Sequence, residues 1–261
     1  MNCLIETALL THGLRSIANE ELAQSWHCPD AILAWVDGGK LKLGPIGEYL
    51  PFRERSEELV RIDCDHLEEA RQSRASGALT ASGTMAVCRR LDIPMAITCG
   101  MGGIGDLRGE ELCPDLPALM NIPVALISTS PKDMLDRPAT LDWLRRHGVH
   151  TAGEPCTGYL FCGEPVALEL PLSSCNNEAA VRRLTANGGL LLLNPIPEKE
   201  RVQDRSILVD AIKAGKQAEA EGHYYHPAAN GEIDRRTDGY SSRIQLESIQ
   251  QNYLLAKSIM D

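Results

Sequence analysis

Short apolar runs alternate with longer amphipathic stretches along this chain. AILAWVDGGKLKLG reads as a strand, a Gly-Gly turn and a second short strand. PMAITCG, PVALISTS, VALELPL and LLLLNPIP read as further strands, the last broken by its prolines. The opening LIETALLTHG is strand-like as well. Apolar positions suit helices in SGTMAVCRRL, DLPALMN, ATLDWLRRHGV, NNEAAVRRLTANGG, ILVDAIKAGKQAEAEG and the final SSRIQLESIQQNYLLAKSIM. Arg145, Arg146 and His147 close one of these helices ahead of Gly148, where cations suit the helix dipole. Strand–helix alternation predicts one α/β domain with a largely parallel sheet. Ligands of such folds sit beyond the carboxyl ends of the strands. The loops expected to carry chemistry are therefore TCGMGGIGDLRGEE, STSPKD and LNPIPEKE.

Composition narrows the function classes. The 261 residues are 43% hydrophobic and 24% charged, which predicts a packed core. Aromatics are only 4%, so aliphatic side chains and Met must fill it. A net charge of −10 gives no counterion-release affinity for nucleic acid, yet a local cluster of cations can still take a small anion. The nine cysteines include no C-x-x-C pair and read as reduced, mostly buried thiols. No basic leader and no run of about 20 apolar residues is present, so a soluble, cytoplasmic protein without membrane contact is expected.

Five features carry candidate chemistry. Lys132 arrives where the PVALI strand ends and a helix is about to begin. A helix N-terminus and partial burial both disfavour an ammonium there, the condition for an amine that forms a Schiff base with a sugar aldehyde. The bland alternative is an exposed Lys paired with Asp133 or Asp136. The glycine loop 99–106 can bring backbone N–H groups close to an anion, or is simply a tight turn. Glu110, Glu111 and Asp115 have the oxygen chemistry for a hard divalent cation, or form a solvated acidic loop. Glu6, inside an apolar run, would have a raised pKa if buried, as suits a general acid; otherwise it is a strand-edge carboxylate. NPIPE, Asn194 to Glu198, is a rigid turn after a buried strand, with Asn194 free to bond backbone or ligand.

In their order along the chain these segments resemble the pseudouridine-5′-phosphate glycosidase family, of which the chain looks like a distant, divergent member. LIETALLTHG resembles that family's ALEST-x-(I/L)-x-HG, SGALTASGTM its GATTVASTM, and ITCGMGGIGD its ATGGIGGVHRG. STSPKDMLD is similar to CAGAKSILD, GLLLLNPIPE to GLLVANPIPE, and the last helix to SLKSNIQLVFNNAILASEI. The likeness runs from about residue 4 to 260. It implies an α/β/α sandwich around a central, largely parallel mixed sheet, as a single glycosidase-like domain over residues 1–261. It further implies a homotrimer, Mn²⁺ (or Mg²⁺) as cofactor, and reversible cleavage of a C-nucleoside 5′-phosphate to a base and ribose 5-phosphate. A C-glycoside lacks a heteroatom leaving group, so an imine at C1′ supplies the electron sink and an acid moves the protons. By the resemblance Lys132 is the Schiff-base lysine and Glu6 the proton donor. Arg61, Ala81, Cys113, Pro114 and Asp115 take substrate-binding positions, and Glu111 the metal-binding one.

The departures concern the base-facing side. His-Arg-Gly after the glycine loop is replaced around Gly105, Asp106, Leu107 and Arg108, and TPFLL near the C-terminus by His226 to Asn230. A base-facing Asn of the last helix aligns with Gln245, and the metal-binding Asp has become Glu111. Lysine, acid and phosphate cation persist while the base loops change. Three readings are open: a glycosidase or lyase, a C-glycoside synthase joining ribose 5-phosphate to a different nucleophile, or a sugar-phosphate-binding protein without catalysis. His12 is expected to bond backbone, and His226 is a weaker candidate for the pocket. His66, His147, His150 and His223 read as surface or cap residues, and the three tryptophans as core or helix-face residues.

Overall fold

A computed structural model describes residues 2–105, 113–186, 188–223 and 225–260. The strands are β1 (Cys3–Ile5), β2 (Leu33–Asp37), β3 (Lys40–Gly44), β4 (Val60–Ile62), β5 (Gly77–Leu79) and β6 (Met95–Ile97). They continue with β7 (Gly100–Met101), β8 (Ala125–Ser128), β9 (Ser130–Pro131), β10 (His150–Gly153) and β11 (Leu190–Leu193). The helices are α1 (Asn19–Ser25), α2 (Ile46–Arg53), α3 (Leu67–Gln72), α4 (Ala81–Arg90) and α5 (Asp115–Asn121). After them come α6 (Arg137–Arg146), α7 (Glu178–Thr185), α8 (Ser206–Ala220), α9 (Tyr225–Arg236) and α10 (Tyr240–Met260).

Among the described residues the main sheet runs β10-β11-β8-β6-β1-β2-β5-β4, with β3 hairpinned onto β2. Pairing is parallel from β10 through β1 to β2 and again between β4 and β5. It is antiparallel where β2 meets β3 and β5, so the sheet is mixed and mostly parallel.

Strand side chains alternate between two cores, as a period of two requires. Ile5, Leu33, Trp35, Met95, Ile97, Leu190 and Leu192 face one core, packed under α2, α8, α9 and α10. Leu4, Ala34, Val36, Ala96, Leu126, Leu191 and Leu193 face the other, packed under α3, α4, α5 and α6. This is the α/β/α sandwich. Each fully buried Leu of β11 contributes about 2 kcal/mol of apolar burial, so LLLL is held from both faces, one strand in from the β10 edge.

Caps fix where the site-bearing loops end. Thr80 accepts the Gly83 N–H to open α4, and Asp136 accepts the Ala139 N–H at 2.9 Å to open α6. All nine cysteines are free, five of them buried. Among the described residues no helix is long and apolar enough to cross a membrane.

Two sequence expectations need correction. VALELPL is not a strand: only isolated bridges tie it to the sheet, at Val166 to Cys156 and Leu170 to Ala152. Pro165 precedes the segment, Pro171 lies within it, and neither supplies an N–H, which stops a continuous ladder. LIETALLTHG is strand for Cys3–Ile5 only. After Ile5 the chain turns inward and closes a π-helical turn at Leu9–Gly13, with the Leu14 N–H on the Leu9 carbonyl at 3.1 Å. Glu6 therefore stands one residue past β1, on the carboxyl edge of the sheet.

Candidate active site

Glu6 is held in place by its neighbours on both sides. Its N–H bonds the Ile97 carbonyl at 2.9 Å. The adjacent Thr7 donates its hydroxyl to the Ala34 carbonyl at 2.8 Å and accepts the Leu79 N–H at 3.0 Å. The end of β1 is thereby stitched to β2, β5 and β6. The carboxylate is 6% exposed, and the Thr98 hydroxyl donates to Oε1 at 2.7 Å. Burial pushes its pKa up to about 7, although Thr98 and the Lys132 ammonium pull the other way.

Lys132 follows a small parallel ladder between β7 and β9, and its N–H bonds the Met101 carbonyl at 3.2 Å. The two partners offered by the bland reading are used elsewhere. Asp136 caps α6, and Asp133 accepts the N–H groups of Tyr159, Leu160 and Phe161 at 2.9, 2.7 and 3.0 Å. Asp133 thus points away from the amine and pins the 159–161 segment against it. Among the described residues no carboxylate forms an ion pair with Lys132. Burial lowers its pKa first, and the nearby Arg61 guanidinium lowers it further, against the pull of Glu6 and Asp115.

One cavity is lined by Glu6, Lys132, Arg61, Ala81, Asp115 and Tyr159. Cys113 and Pro114 line an adjoining hollow that shares Arg61, Asp115 and Lys132. Asp115 braces the cavity: its carboxylate accepts the Ser82 N–H at 3.1 Å and the Gly102 N–H at 2.8 Å. Gly102 is therefore committed to Asp115 of α5 and offers its N–H to no anion. A Cβ on Gly100 would sit 2.7 Å from the Tyr159 ring, so the glycine makes room for that tyrosine. Burial raises the Cys113 thiol to about 12, with Asp115 adding to the effect, so it is no thiolate nucleophile.

Asn194 and Gln245 stand off the cavity. Asn194 lines a separate hollow and donates to Asn252 Oδ1 at 3.0 Å. Asn252 in turn donates to the Thr98 carbonyl at 2.8 Å, so Asn194 supports the segment whose hydroxyl holds Glu6. Gln245 is buried behind Tyr159 and accepts its hydroxyl at 2.9 Å. Both act through a neighbour: Asn194 follows the carboxyl end of β11, and α10, which carries Gln245, packs on the face of the sheet opposite α4 and α5. Glu111, with Glu110, Asp106, Leu107 and Arg108, lies outside the described residues. Among the described residues no three His, Cys, Asp or Glu groups cluster as a metal site, and Asp115 is already spent on two N–H groups.

The sequence signalled the opposite wall poorly. His12 on the π turn lines the cavity and sets Nε2 against the Leu59 carbonyl at 2.9 Å. His226 and Asn230, one turn apart on α9, line it too. His12 Nδ1, His226 Nδ1 and Asn230 Oδ1 are buried without a hydrogen-bond partner. Burial lowers the pKa of both histidines, that of His226 strongly, with Arg61 acting in the same direction. Thr98, Tyr159 and the buried Arg53 are further contributors with no sequence signal of their own.

Similarity to known proteins runs almost the whole length of the chain. The model of the family described as indigoidine synthase A like protein matches residues 4–260. The chain belongs to that family. Its curated relatives include a pseudouridine-5′-phosphate glycosidase of Methylobacterium nodulans, 27% identical over 276 residues, with 98% of this chain and 81% of the relative covered. Another, from Petrotoga mobilis, is 26% identical over 277 residues, covering 98% and 89%. Among solved structures, the prealnumycin C-glycosynthase AlnA in complex with ribulose 5-phosphate has a TM-score of 0.77 at 22% identity, covering 98% of this chain and 91% of its own. An indigoidine synthase A-like protein of Thermotoga maritima has the same TM-score at 19% identity, with the same coverage. These structural likenesses establish the shared family fold.

Proposed function

We propose that this chain is a C-nucleoside 5′-phosphate glycosidase, cleaving pseudouridine 5′-phosphate or a related C-nucleotide with water to a base and ribose 5-phosphate. The observation that carries the reading is one cavity lined by a buried acid of raised pKa, a lysine of lowered pKa and an arginine unpaired among the described residues. The neutral Lys132 amine bonds C1′ as the bond from C1′ to the ring oxygen breaks, which opens the sugar with the base still attached. The bond between C1′ and the base carbon then breaks, its electron pair leaving with the base while the nitrogen lone pair forms the imine at C1′, and water hydrolyses that imine to ribose 5-phosphate and free Lys132. Glu6, protonated over a usable range near neutral pH, gives its proton to the sugar ring oxygen on opening, takes one back from the Lys132 nitrogen once that nitrogen has bonded C1′, and gives it to the base carbon as the C1′–base bond breaks. Arg61 takes the 5′-phosphate as a charge-assisted pair. Tyr159, braced by Asp133 and Gln245, closes the wall beside Lys132.

The same groups run the reaction in either direction, because an enzyme lowers one barrier for both. A C-glycoside synthase is the second reading, favoured by His226, Pro227 and Asn230, which line the cavity where the glycosidase motif has TPFLL. The Mn²⁺ or Mg²⁺ expected at Glu111 and the homotrimer remain parts of the proposal, and no chemical step is routed through the metal. The test is release of uracil from pseudouridine 5′-phosphate by the full chain supplied with Mn²⁺. The expected result is turnover that Lys132→Ala abolishes and Glu6→Gln lowers at least about a hundredfold, the usual scale of general acid catalysis. Imine formation with ribose 5-phosphate but no turnover of pseudouridine 5′-phosphate moves the assignment to the synthase. Neither activity overturns both.

A further inference from the structure

His12 is built as a hydrogen-bond acceptor. Its Nε2 lies 2.9 Å from the Leu59 carbonyl, which has only lone pairs to offer, so Nε2 must carry the hydrogen. In the neutral ring Nδ1 is then a bare lone pair. That atom is buried, has no partner in the protein, and belongs to a residue lining the Lys132 cavity. Burial and the cations Arg61 and Arg15 disfavour the charged ring, so Nδ1 stays an acceptor at neutral pH.

The surroundings are built to hold the imidazole there. It sits on the π turn Leu9–Gly13, a type of turn frequent at functional sites. Arg53, 8% exposed, fastens that turn and the residues after it by donating to the carbonyls of Leu10, Leu14 and Ile17 at 2.6, 2.9 and 2.8 Å. On α9, the buried Asn230 sets a second partnerless acceptor, Oδ1, on the same cavity. Buried acceptors without donors are destabilising unless something supplies the hydrogens. A cavity that carries an amine, an acid and a guanidinium, and adds bare acceptors, is complementary to an anion bearing several hydroxyl groups.

Resting on the Schiff-base reading above, we propose that His12 is a specificity-determining residue whose Nδ1 accepts a hydrogen bond from a secondary hydroxyl of the sugar phosphate bound at Lys132. It selects a hydroxylated sugar over its deoxy analogue and holds the open chain with its aldehyde carbon toward the amine. Asn230 Oδ1 takes a neighbouring donor.

The experiment measures the rate of borohydride-trapped adduct at Lys132 by intact mass, using ribose 5-phosphate and its 2-deoxy and 3-deoxy analogues. Two variants separate the two ring nitrogens. His12→Gln can keep an N–H for Leu59 and loses the Nδ1 acceptor. His12→Asn can set a carbonyl oxygen near the place of Nδ1. One lost hydrogen bond corresponds to about tenfold. The wild type is expected to trap ribose 5-phosphate about tenfold faster than one of the deoxy analogues. His12→Gln should lose that preference, and His12→Asn should retain it at least in part. A wild type indifferent to both deletions, or a His12→Gln variant slowed equally on all three sugars, overturns the inference and leaves the Schiff base standing. No adduct in the wild type with any sugar overturns the Schiff-base reading, and this inference with it.

Discussion

At the residue scale the proposed chemistry depends on moving two pKa values toward each other. Glu6 goes up because it is buried, and Lys132 goes down because it is buried and faces Arg61. The Glu6 shift has a consequence for stability. A carboxyl whose pKa rises from 4.5 to about 7 on folding keeps its proton in the folded chain where the unfolded chain has lost it. Its contribution to stability is complete below the unfolded value and is lost as pH rises through 7. Glu6→Gln should therefore gain on the wild type by up to about 3 kcal/mol between pH 5 and pH 8 in urea titrations. A difference that does not change with pH would mean that the acid is solvated. Lys132 and Glu6 were legible from residue type, place and family resemblance together. His12, read as a residue bonding backbone, does so through one nitrogen, and the orphaned second nitrogen is a tertiary fact that no spacing reveals.

Elements were more legible where periodicity is strong. The hairpin, α4, α5, α6 and α10 stand where the apolar pattern predicts them. The failures have local causes. Prolines break up VALELPL, and α9 carries Pro227, Gly231 and Asn230, all poor helix formers. That helix is held by packing: a Cβ on Gly215 of α8 would meet the Tyr225 ring at 2.6 Å, so the two helices lie close. The π turn has no sequence signature at all and is fixed from outside by Arg53. Removing that guanidinium as Arg53→Leu strands buried carbonyls on three residues and should cost about 3 kcal/mol in chemical denaturation. Amide exchange between residues 9 and 17 should accelerate more than exchange in β6 or β8. Uniform acceleration would show that Arg53 serves global stability alone.

At the scale of the molecule, the sheet delivers the site. β1, β6 and β8 end side by side, so Glu6, Thr98 and Lys132 arrive on one edge although up to 126 positions separate them. β5 runs antiparallel to β2, yet its end meets Thr7 and brings Thr80 and Ala81 to the same edge. The sequence predicts alternating layers and the active edge, because strands that alternate with helices have few other arrangements. It does not predict strand order; Asn194 and Gln245, taken as substrate-binding residues at the level of the sequence, stand behind the cavity wall and reach it through Asn252 and Tyr159. A chain with net charge −10 nevertheless concentrates Arg61 and Lys132 at this edge, where an anionic sugar would be drawn.

The proposed catalysis at this edge depends on Lys132 acting as an amine toward a sugar carbonyl. The direct measurement is intact mass of the full chain after ribose 5-phosphate and borohydride, with peptide mapping of any adduct. One reduced ribose phosphate per chain on Lys132, absent from Lys132→Ala and slowed in Glu6→Gln, is the expected result. A folded wild-type chain that takes up no label, or takes it equally on exposed lysines, contradicts the Schiff-base chemistry.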